Sequence, residues 1–301
     1  MTTALVIGRK RPGRPIRKAV RETQRQLEAA GWTVESSVVK KKSKLRRETA
    51  DAVEAGVDVV VAVGGDGAVL QVIQSLAEKA VALGIVPMGT GNLLARNLGI
   101  HKRLDRAVAV LLANERRVID LGHVTVGDLK RYFSVACGVG FDAEVMEKTK
   151  TREKDRWGKI AYVASALTHS GKLRNADHTI TIDGVETTME AAQVFIANFG
   201  RTGLGMKPRL EVEPDDGVFD VIAIRASGRI SGLVAGLKAI RQNHEGETSD
   251  GRAFRAKGRE IRIETKEVRL VEIDGSVIGK TPIDVSIRPS ALTVLVPRAD
   301  S

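Results

Sequence analysis

The sequence predicts an α/β protein of two domains, an N-terminal domain built on a parallel sheet and a C-terminal domain of mainly antiparallel β structure. Three observations predict this fold class. Residues 1–122 alternate strand-like and helix-like segments, as repeated βα units do. Residues 123–287 consist mostly of short alternating segments separated by Gly, Asp-Gly and Pro turns. The chain has 301 residues, which is enough for two ordinary domains that each bury a core.

The predicted elements of the N-terminal domain alternate between strand and helix. Apolar, β-branched runs predict strands at 3–7, 33–39, 57–63 and 85–87, and the run 57–63 is apolar enough to be buried on both faces. Helical spacing of apolar residues predicts helices over 16–30, 45–55, 69–76, 93–98 and 104–112. The residues expected to face the core are Ile16, Ala19, Val20, Thr23, Leu27 and Ala30 in the first helix and Leu104, Ala107, Val108, Leu111 and Leu112 in the last.

The predicted strands of the C-terminal domain are short and separated by turns. They are VIDLGHVTV, YFSVACGVGF, HTITIDG, AAQVFIANF, VFDVIAI, IRIETK, VRLVEIDG, IDVSI and LTVLV. Two helices, over 160–167 and 230–240, are predicted to interrupt them. The chain contains no internal repeat and no low-complexity linker.

Composition excludes several classes of protein. Hydrophobic residues make up 43% of the chain, which excludes a disordered or fibrous protein. No apolar run reaches the roughly 18 residues of a membrane-spanning helix, and the N-terminus lacks the pattern of a signal peptide. The single cysteine, Cys137, cannot form an internal disulfide, so we interpret it as a small buried core residue. These features predict a cytoplasmic location.

Positive charge is the most pronounced feature of the composition. Lys and Arg number 48 against 37 Asp and Glu, which gives a net charge of +11. This excess favours nucleotide phosphates, nucleic acid or an anionic membrane surface as partners, but aromatic residues are only 3% of the chain and leave little for base stacking. The basic residues cluster within 9–18, 40–47 and 148–159. We interpret the second cluster as solvated surface, whereas Trp157 within the third indicates contact with a membrane interface.

Two glycine-rich turns, each between a strand and a helix, carry the main functional signal. Gly64-Gly65-Asp66-Gly67 follows the strand 57–63, and Gly89-Thr90-Gly91-Asn92 follows the strand 85–87. Because parallel strands end at the same edge of a sheet, bare backbone N–H groups from both turns can converge on one anion. The turns therefore predict a nucleotide-phosphate site, with an ordinary tight βα turn as the alternative.

Other nucleotide-binding motifs are absent from the sequence. No Gly-Lys-Ser/Thr ends the first turn, which excludes a Walker A loop, and the missing Gly-x-Gly-x-x-Gly disfavours dinucleotide binding of the usual type. Asp66 in the first turn could orient a metal ion or a ribose, or accept a proton from a hydroxyl group.

The motifs taken together resemble the diacylglycerol kinase catalytic family, which includes sphingosine and ceramide kinases and bacterial soluble lipid kinases. GGDG, PMGTGNLLARNLGI, VIDLG, FSVACGVGFDAEV, IANFG, GLGM, EPDDGVFDV and EIDG follow that family's order over nearly the whole chain. The resemblance implies an N-terminal nucleotide domain of the NAD-kinase/phosphofructokinase type, a β-rich lipid kinase domain, and a C-terminal strand within 288–301 that returns to the first domain. It also implies transfer of the γ-phosphate of ATP to a lipid hydroxyl with Mg²⁺.

The resemblance also assigns roles to individual residues. The ATP-binding residues are Gly64, Gly65, Asp66, Gly67, Ala68, Gly89, Thr90 and Asn92. A structural Mg²⁺ site comprises Asp216 with the backbone carbonyls of Glu213 and Val218, for which a plain Asp-Gly hairpin turn is the alternative. The candidate catalytic residues are Asp274, Asp66 and Ser276.

Several of these positions depart from the family's pattern. Ser276 stands where members commonly have the glutamate assigned as proton acceptor, and loss of such a base typically costs about 10²–10⁴-fold in rate. Ala68 replaces a usual threonine, and Leu93 replaces the aspartate of many bacterial members. The loop 8–13 replaces Asn-Pro-x-Ser-Gly with a basic sequence, whose cations could still meet phosphates. Asp66 and Asp274 remain as candidate bases.

We therefore expect a cytoplasmic, peripheral-membrane, ATP-dependent lipid kinase that acts at an anionic membrane surface, with diacylglycerol as its expected substrate. One alternative is a lipid or nucleotide sensor that keeps the fold but has lost turnover. A second is NAD kinase, which shares a GGDG turn and a two-domain plan. Nucleic-acid binding is disfavoured, because no recognition module is visible. Edge strands of the β domain could pair across a homodimer.

Overall fold

The computed structural model describes residues 1–142, 175–200, 212–225, 246–247, 251 and 253–298. The chain divides into two units, Met1–Leu121 with Pro289–Ser301, and Gly122–Arg288. The predicted helices 160–167 and 230–240, and the basic cluster 148–159 with Trp157, lie outside the described residues. The predicted fold class is confirmed, since a parallel sheet near the N-terminus is followed by antiparallel β structure.

The first unit is built on a parallel sheet. β1 (Thr3–Arg9), β2 (Thr33–Val39), β3 (Val59–Gly64) and β4 (Ala82–Pro87) lie in the order β2-β1-β3-β4. The C-terminal part of β17 (Ile283–Leu295) pairs with β4 in the parallel direction through Val294 and Leu83. Every residue of β3 and β4 is buried, as in a sheet that is covered on both faces.

The helices of the first unit follow the sequence pattern closely. They are α1 (Ile16–Ala29), α2 (Lys42–Glu54), α3 (Asp66–Leu76), α4 (Leu93–Asn97) and α5 (Leu104–Ala113). Most residues predicted to face the core are buried, but two of these predictions are wrong. Ala30 is exposed because it lies just beyond the end of α1, and Leu112 is 39% exposed because it lies at the edge of the apolar stripe of α5.

The loop between β3 and α3 is shorter than the sequence predicts. α3 begins at Asp66, within the segment 64–67 that the sequence predicts as a turn, so only Gly65 separates β3 from α3. Glycine has a low helix propensity, which is why the sequence places the helix start beyond Gly67. The backbone N–H groups of Asp66 and Gly67 consequently belong to the first turn of a helix.

The second unit is antiparallel throughout its described strands. One sheet contains, in spatial order, β12 (Gly246–Glu247), β13 (Ala253–Gly258), β11 (Phe219–Ile224), β10 (Gln193–Ala197), β7 (Ala136–Asp142), β15 (Arg269–Ile273) and β16 (Ser276–Lys280). The N-terminal part of β17 pairs with β14 (Glu260–Thr265), which continues to β8 (Ala176–Ile182) and β9 (Val185–Ala191). β5 (Arg116–Val126) and β6 (Leu129–Phe133) form a hairpin.

The sequence missed strands that have few apolar residues. β9, β13 and β16 were not predicted, because VETTMEA, AFRAKG and SVIGK lack a clear alternation. The two segments IDVSI and LTVLV, in turn, belong to a single long strand, β17. Cys137 is a free cysteine and fully buried in β7, which confirms its interpretation as a core residue.

A buried ion pair joins two strands of this unit. Arg255 on β13 donates from Nε to Asp220 Oδ1 on β11 at 2.6 Å, and the two side chains are 7% and 1% exposed. Burial raises the pKa of Asp220, and the hydrogen bond from Arg255 opposes that rise. Because an unpaired charge at this depth costs several kcal/mol, the pair fixes the pairing of β11 with β13.

None of the helices within the described residues has both the length and the hydropathy that a transmembrane segment needs.

Candidate functional site

The two glycine turns of the first unit touch backbone to backbone. A Cβ atom on Gly89 would lie 2.5 Å from Gly65 Cα, and a Cβ atom on Gly65 would lie 2.8 Å from Gly89 Cα. The backbone N–H of Met88 also donates to the carbonyl oxygen of Gly64 at 2.8 Å. Carbon atoms in contact normally lie about 3.5–4.0 Å apart, so neither glycine can carry a side chain in this arrangement. The turns therefore meet as the sequence predicts.

Asp66 connects the first turn to the second. Its carboxylate accepts one hydrogen bond from the backbone N–H of Asn92 at 2.9 Å and another from that of Leu93. Both carboxylate oxygens are thus engaged by donors at the start of α4, which would otherwise lack partners. This geometry indicates a positioning role, and it gives no support to the predicted role of Asp66 as proton acceptor.

Asn92 closes the second turn on itself. Its Oδ1 accepts from the backbone N–H of Gly89 at 2.8 Å, and its Nδ2 donates to the carbonyl oxygen of Gly89 at 3.0 Å. Asn92 has a φ of 48°, in the left-handed region that asparagine tolerates better than most residues. The side chain of Asn92, predicted to bind ATP, is therefore used to shape the turn.

Backbone donors remain available where the turns meet. In the described structure, no hydrogen bond uses the N–H groups of Asp66, Gly67, Thr90 or Gly91. The first two stand in the first turn of α3, where N–H groups have no intrahelical partner and the helix dipole is positive. Donors from two touching turns can converge on phosphate oxygens, which is the arrangement that an anion site requires.

The first turn has one open side, at Gly67, and one packed side, at Ala68. Apart from its chain neighbours and the backbone of its own helix, no described residue lies within 4 Å of the place where a Cβ on Gly67 would stand. Ala68, by contrast, is buried against β3, since a Cβ on Gly64 would lie 2.7 Å from the Ala68 methyl group. The N–H of Ala68 donates to Gly65 O at 2.7 Å. Ala68, predicted to bind ATP, thus directs its methyl group toward the sheet, whereas the space beside Gly67 stays free.

Cationic side chains lie at the same edge of the sheet. Arg14, between β1 and α1, donates from Nη2 to Thr90 Oγ1 in the second turn at 3.1 Å. Arg9 ends β1, and its buried Nε has no hydrogen-bond partner in the described structure. Burial lowers the pKa of Arg9, and the positive charge of Arg11 adds to this effect. The basic N-terminal loop therefore brings guanidinium groups beside the turns, where phosphate oxygens would satisfy them.

Asp274, in the second unit, is an anchor between strands. Its Oδ2 accepts from Ser134 N and Ser134 Oγ, both at 2.8 Å, and its Oδ1 accepts from Val135 N at 2.8 Å and Ala136 N at 3.1 Å. The residue is 7% exposed. Burial raises the pKa of Asp274, and hydrogen bonds from the N–H groups of Ser134, Ala136 and Val135 oppose that rise. Four donors occupy both oxygens, so the geometry favours an anchoring role over the predicted role of proton acceptor.

Glu272 was not among the predicted site residues. It lies on β15 between Val271 and Ile273, which are both fully buried, whereas its own side chain is partly buried. Burial raises the pKa of Glu272 to about 7, and the negative charge of Asp274 adds to this rise. Ser276, the third candidate catalytic residue, is partly buried at the start of β16 opposite Ile273. No local sequence pattern distinguishes Glu272, because residues of other strands create its surroundings.

The predicted Mg²⁺ ligands of the second unit fit a resident cation poorly. Asp216 Oδ2 lies 3.3 Å from Lys257 Nζ, and Asp216 Oδ1 accepts from the N–H of Val218 at 3.2 Å. Lys257 thus supplies the positive charge that a metal ion would bring. No group of three or more His, Cys, Asp or Glu side chains in the described part of the chain could hold a metal. The Mg²⁺ site at Glu213, Asp216 and Val218 stays a prediction, and the geometry matches the alternative Asp-Gly turn.

Known proteins share both halves of this chain. Residues 3–124 match the diacylglycerol kinase catalytic domain, and residues 135–296, more than half of the chain, match the YegS C-terminal NAD kinase beta sandwich-like domain. A diacylglycerol kinase of Mycobacterium tuberculosis is 30% identical over 260 residues, which cover 84% of this chain and 81% of that protein. The chain belongs to the diacylglycerol kinase family.

A second relative and a solved structure are also similar to this chain over most of its length. An uncharacterized protein of Synechocystis is 27% identical over 271 residues, which cover 89% of this chain but only 61% of that longer protein. The crystal structure of a diacylglycerol kinase from Bacillus anthracis has a TM-score of 0.76 and covers 99% of this chain and 97% of that chain at 22% identity, which shows a shared fold. The resemblance to the diacylglycerol kinase family inferred from the motifs is confirmed.

Proposed function

We propose that this protein is an ATP-dependent lipid kinase that transfers the γ-phosphate of Mg·ATP to the hydroxyl group of diacylglycerol and forms phosphatidic acid. Membership of the diacylglycerol kinase family supports a lipid phosphotransferase. The observation that carries the proposal is the contact between the two glycine turns, which leaves backbone N–H donors and open space at the edge of a parallel sheet.

The first unit supplies what binding of a triphosphate needs. The N–H groups of Gly67 and Thr90 would donate to phosphate oxygens, while Asp66 and Asn92 hold the two turns in place. Arg14 would neutralise charge on the phosphates beside Thr90. Mg²⁺ enters with the nucleotide as part of the substrate and neutralises further charge. In phosphoryl transfer, positioning and charge neutralisation supply most of the rate enhancement, so these groups address the main requirements of the reaction.

We further propose that the protein meets its lipid at an anionic membrane surface. The net charge of +11 is partly carried by exposed residues of the first basic cluster, among them Lys10, Arg11, Arg17 and Lys18. Basic residues near an anionic surface each contribute about 1 kcal/mol of attraction, and salt screens that attraction. Activity on mixed micelles is therefore expected to rise with the fraction of anionic phospholipid and to lose that stimulation at high ionic strength.

A kinase assay tests the proposed function directly. The purified protein is incubated with radiolabelled ATP, Mg²⁺ and mixed micelles of diacylglycerol, with ceramide, sphingosine and NAD offered in parallel reactions. We expect label in phosphatidic acid on thin-layer chromatography. Label in NADP would identify an NAD kinase, and ATP binding without transfer to any acceptor would identify a sensor. Either result would overturn the proposal.

The open space at Gly67 predicts that an alanine there will stabilise the protein and weaken the binding of Mg·ATP. In Gly67→Ala the new methyl group meets no protein atom, so the helix gains about 0.5–1 kcal/mol from reduced backbone entropy. The same methyl group would stand where the phosphates approach the turn, so the KM for Mg·ATP is expected to rise about tenfold. Thermal melting and steady-state kinetics of the same preparation check both signs. A variant with unchanged stability and unchanged KM would contradict the assignment of Gly67.

A further inference from the structure

Glycines on the central strand β7 leave room for two polar side chains on one face of the sheet. A Cβ atom on Gly138 would lie 3.1 Å from Gln193 Nε2 and 3.2 Å from Glu272 Oε1. A Cβ atom on Gly140 would lie 2.7 Å from Gln193 Oε1. The carboxylate of Glu272 and the amide of Gln193 therefore lie side by side over the backbone of β7.

The described residues give this pair few hydrogen bonds. Among the described residues, none donates a hydrogen bond to the Glu272 carboxylate, and Gln193 Nε2 has only a long contact of 3.5 Å with Val194 O. Gln193 is 2% exposed, a depth at which polar groups normally have good partners. A partly buried carboxylate beside an amide that has only one long hydrogen bond can bind a polar ligand that reaches this face.

The pairing of β15 with both neighbouring strands shifts in register next to Glu272. Pairing of β15 with β7 shifts between Leu270 and Val271, where Gly140 is the extra residue of β7. Pairing of β15 with β16 shifts between Val271 and Glu272. Gly140 has a φ of 153°, in the region that favours glycine, so a side chain there would strain the bulge as well as collide with Gln193. Bulges occur next to active sites, where they re-aim a side chain.

The chemistry of this pair fits an alcohol. A carboxylate only accepts hydrogen bonds and the amide NH₂ group donates them, whereas a hydroxyl group does both. A hydroxyl group that reached this pair could donate to Glu272 and accept from Gln193 at the same time. We propose that Glu272 is the catalytic base that takes the proton of the lipid hydroxyl, and that Gln193 positions that hydroxyl. This inference rests on the proposed function.

The proposed step balances without any further reactant. The O–H bond of the acceptor alcohol breaks, and its proton goes to Glu272. The acceptor oxygen forms a bond to the γ-phosphorus, while the bond from that phosphorus to the β,γ-bridging oxygen breaks and its electron pair leaves with ADP. Release of the product and loss of the proton to water return Glu272 to its ionised form.

The electrostatic surroundings of Glu272 suit this task. Burial, together with the smaller effect of the charge of Asp274, raises its pKa to about 7, which places the carboxyl near the pH at which a general base works best. Within the described residues, Asp274 is the charged group that acts on Glu272. The neighbouring strands contribute the uncharged Gly138, Gln193 and Val277.

The experiment compares Glu272→Gln with the wild-type protein in the diacylglycerol kinase assay. Because general-base catalysis is worth about 10²–10⁴-fold and phosphoryl transfer depends mainly on positioning, we expect a loss at the low end, about 100-fold in kcat. The KM for Mg·ATP should not change. Wild-type kcat should fall as the pH drops through about 7, whereas the variant should lose this dependence. Glu272→Asp, which keeps a carboxylate, should recover part of the rate.

Stability provides a readout that does not depend on activity. Folding raises the pKa of Glu272 above its unfolded value, so the native state is favoured below the unfolded pKa and loses that advantage as the pH rises through 7. Glu272→Gln should therefore melt at a higher temperature than the wild type at pH 8, and this gain should shrink as the pH falls below 7 and disappear below the unfolded pKa. A merely structural glutamate would give a lower melting temperature at pH 8.

A matched control and two opposing outcomes complete the test. Glu186→Gln makes the same chemical change at an exposed position of β9, and its rate should equal that of the wild type. An active wild type with a Glu272→Gln variant that keeps its rate and pH profile would overturn this inference alone. A wild type that phosphorylates no lipid would overturn the proposed function, and this inference with it.

Discussion

Gly89→Ala is expected to reduce kcat/KM for Mg·ATP about 100-fold. The new methyl carbon would lie 2.5 Å from Gly65 Cα and 2.6 Å from Asn92 Oδ1. No rotation of a side chain can relieve the first collision, because Gly65 has none. The two turns must separate by about 1 Å to restore a normal carbon–carbon contact. A displacement of about 1 Å within a reacting complex can cost about 10²-fold in rate, since the donors no longer converge on the same phosphate.

Gly67→Ala is the matched control for this change, because it adds the same methyl group within the same turn at a place where no protein atom lies within 4 Å. Titration of Mg·ATP by calorimetry should show binding lost in Gly89→Ala and only weakened in Gly67→Ala. Gly65→Ala should resemble Gly89→Ala, because its methyl group would lie 2.8 Å from Gly89 Cα. If Gly89→Ala bound Mg·ATP as the wild type does, the phosphate site would have to lie elsewhere.

The glycine turns also show which parts of the structure can be predicted from sequence. The strands of the first unit and the convergence of its turns follow from local patterns, since buried parallel strands are apolar runs and their ends share one edge of the sheet. The helix start at Asp66 does not follow from such a pattern. The hydrogen bonds from the start of α4 to the Asp66 carboxylate are equally hidden, because they join residues 26 and 27 positions apart.

The second unit was harder to predict at the level of the site. Its motifs identify Asp274 and Ser276, but their roles depend on contacts distant in sequence, such as those from residues 134–136 to Asp274. The local sequence around Glu272 does not mark it as a functional residue. Its surroundings are set by two glycines and a glutamine on other strands. Residue propensities and the spacing of apolar residues predict local structure. The desolvation of a side chain and its lack of hydrogen bonds arise only when the strands assemble into a sheet.

Asp274→Asn is expected to lower the stability of the protein by about 3 kcal/mol. The carboxylate accepts four hydrogen bonds at a site that is 7% exposed. An amide keeps one oxygen and turns an NH₂ group toward the remaining donors, so at least one buried N–H loses its acceptor. Each such orphaned donor costs about 1–3 kcal/mol, and the lost bonds to a charged group cost a similar amount. Removing the cost of burying the charge offsets only part of this loss.

Thermal melting is the direct measurement, and a loss of about 3 kcal/mol corresponds to a decrease of roughly 6–12 °C for a protein unit of this size. Ser134→Ala is the matched control. It removes the hydroxyl donor and leaves the three backbone donors in place, so it should cost about 1 kcal/mol. Equal melting temperatures for Asp274→Asn and the wild type would show that the four hydrogen bonds do not hold the β15–β16 turn.

Asp274→Asn also tests whether the charge of Asp274 affects catalysis by Glu272. The charge of Asp274 is one of the two causes that raise the pKa of Glu272 to about 7, and burial is the other and larger one. Asp274→Asn removes that charge, so the fall of kcat at acid pH should move to lower pH. Ser134→Ala keeps the charge and should leave the pH profile in place. Loss of stability alone lowers the amount of active protein without moving its pH dependence. A shifted profile in the aspartate variant alone would therefore tie Asp274 to the proton acceptor through its charge.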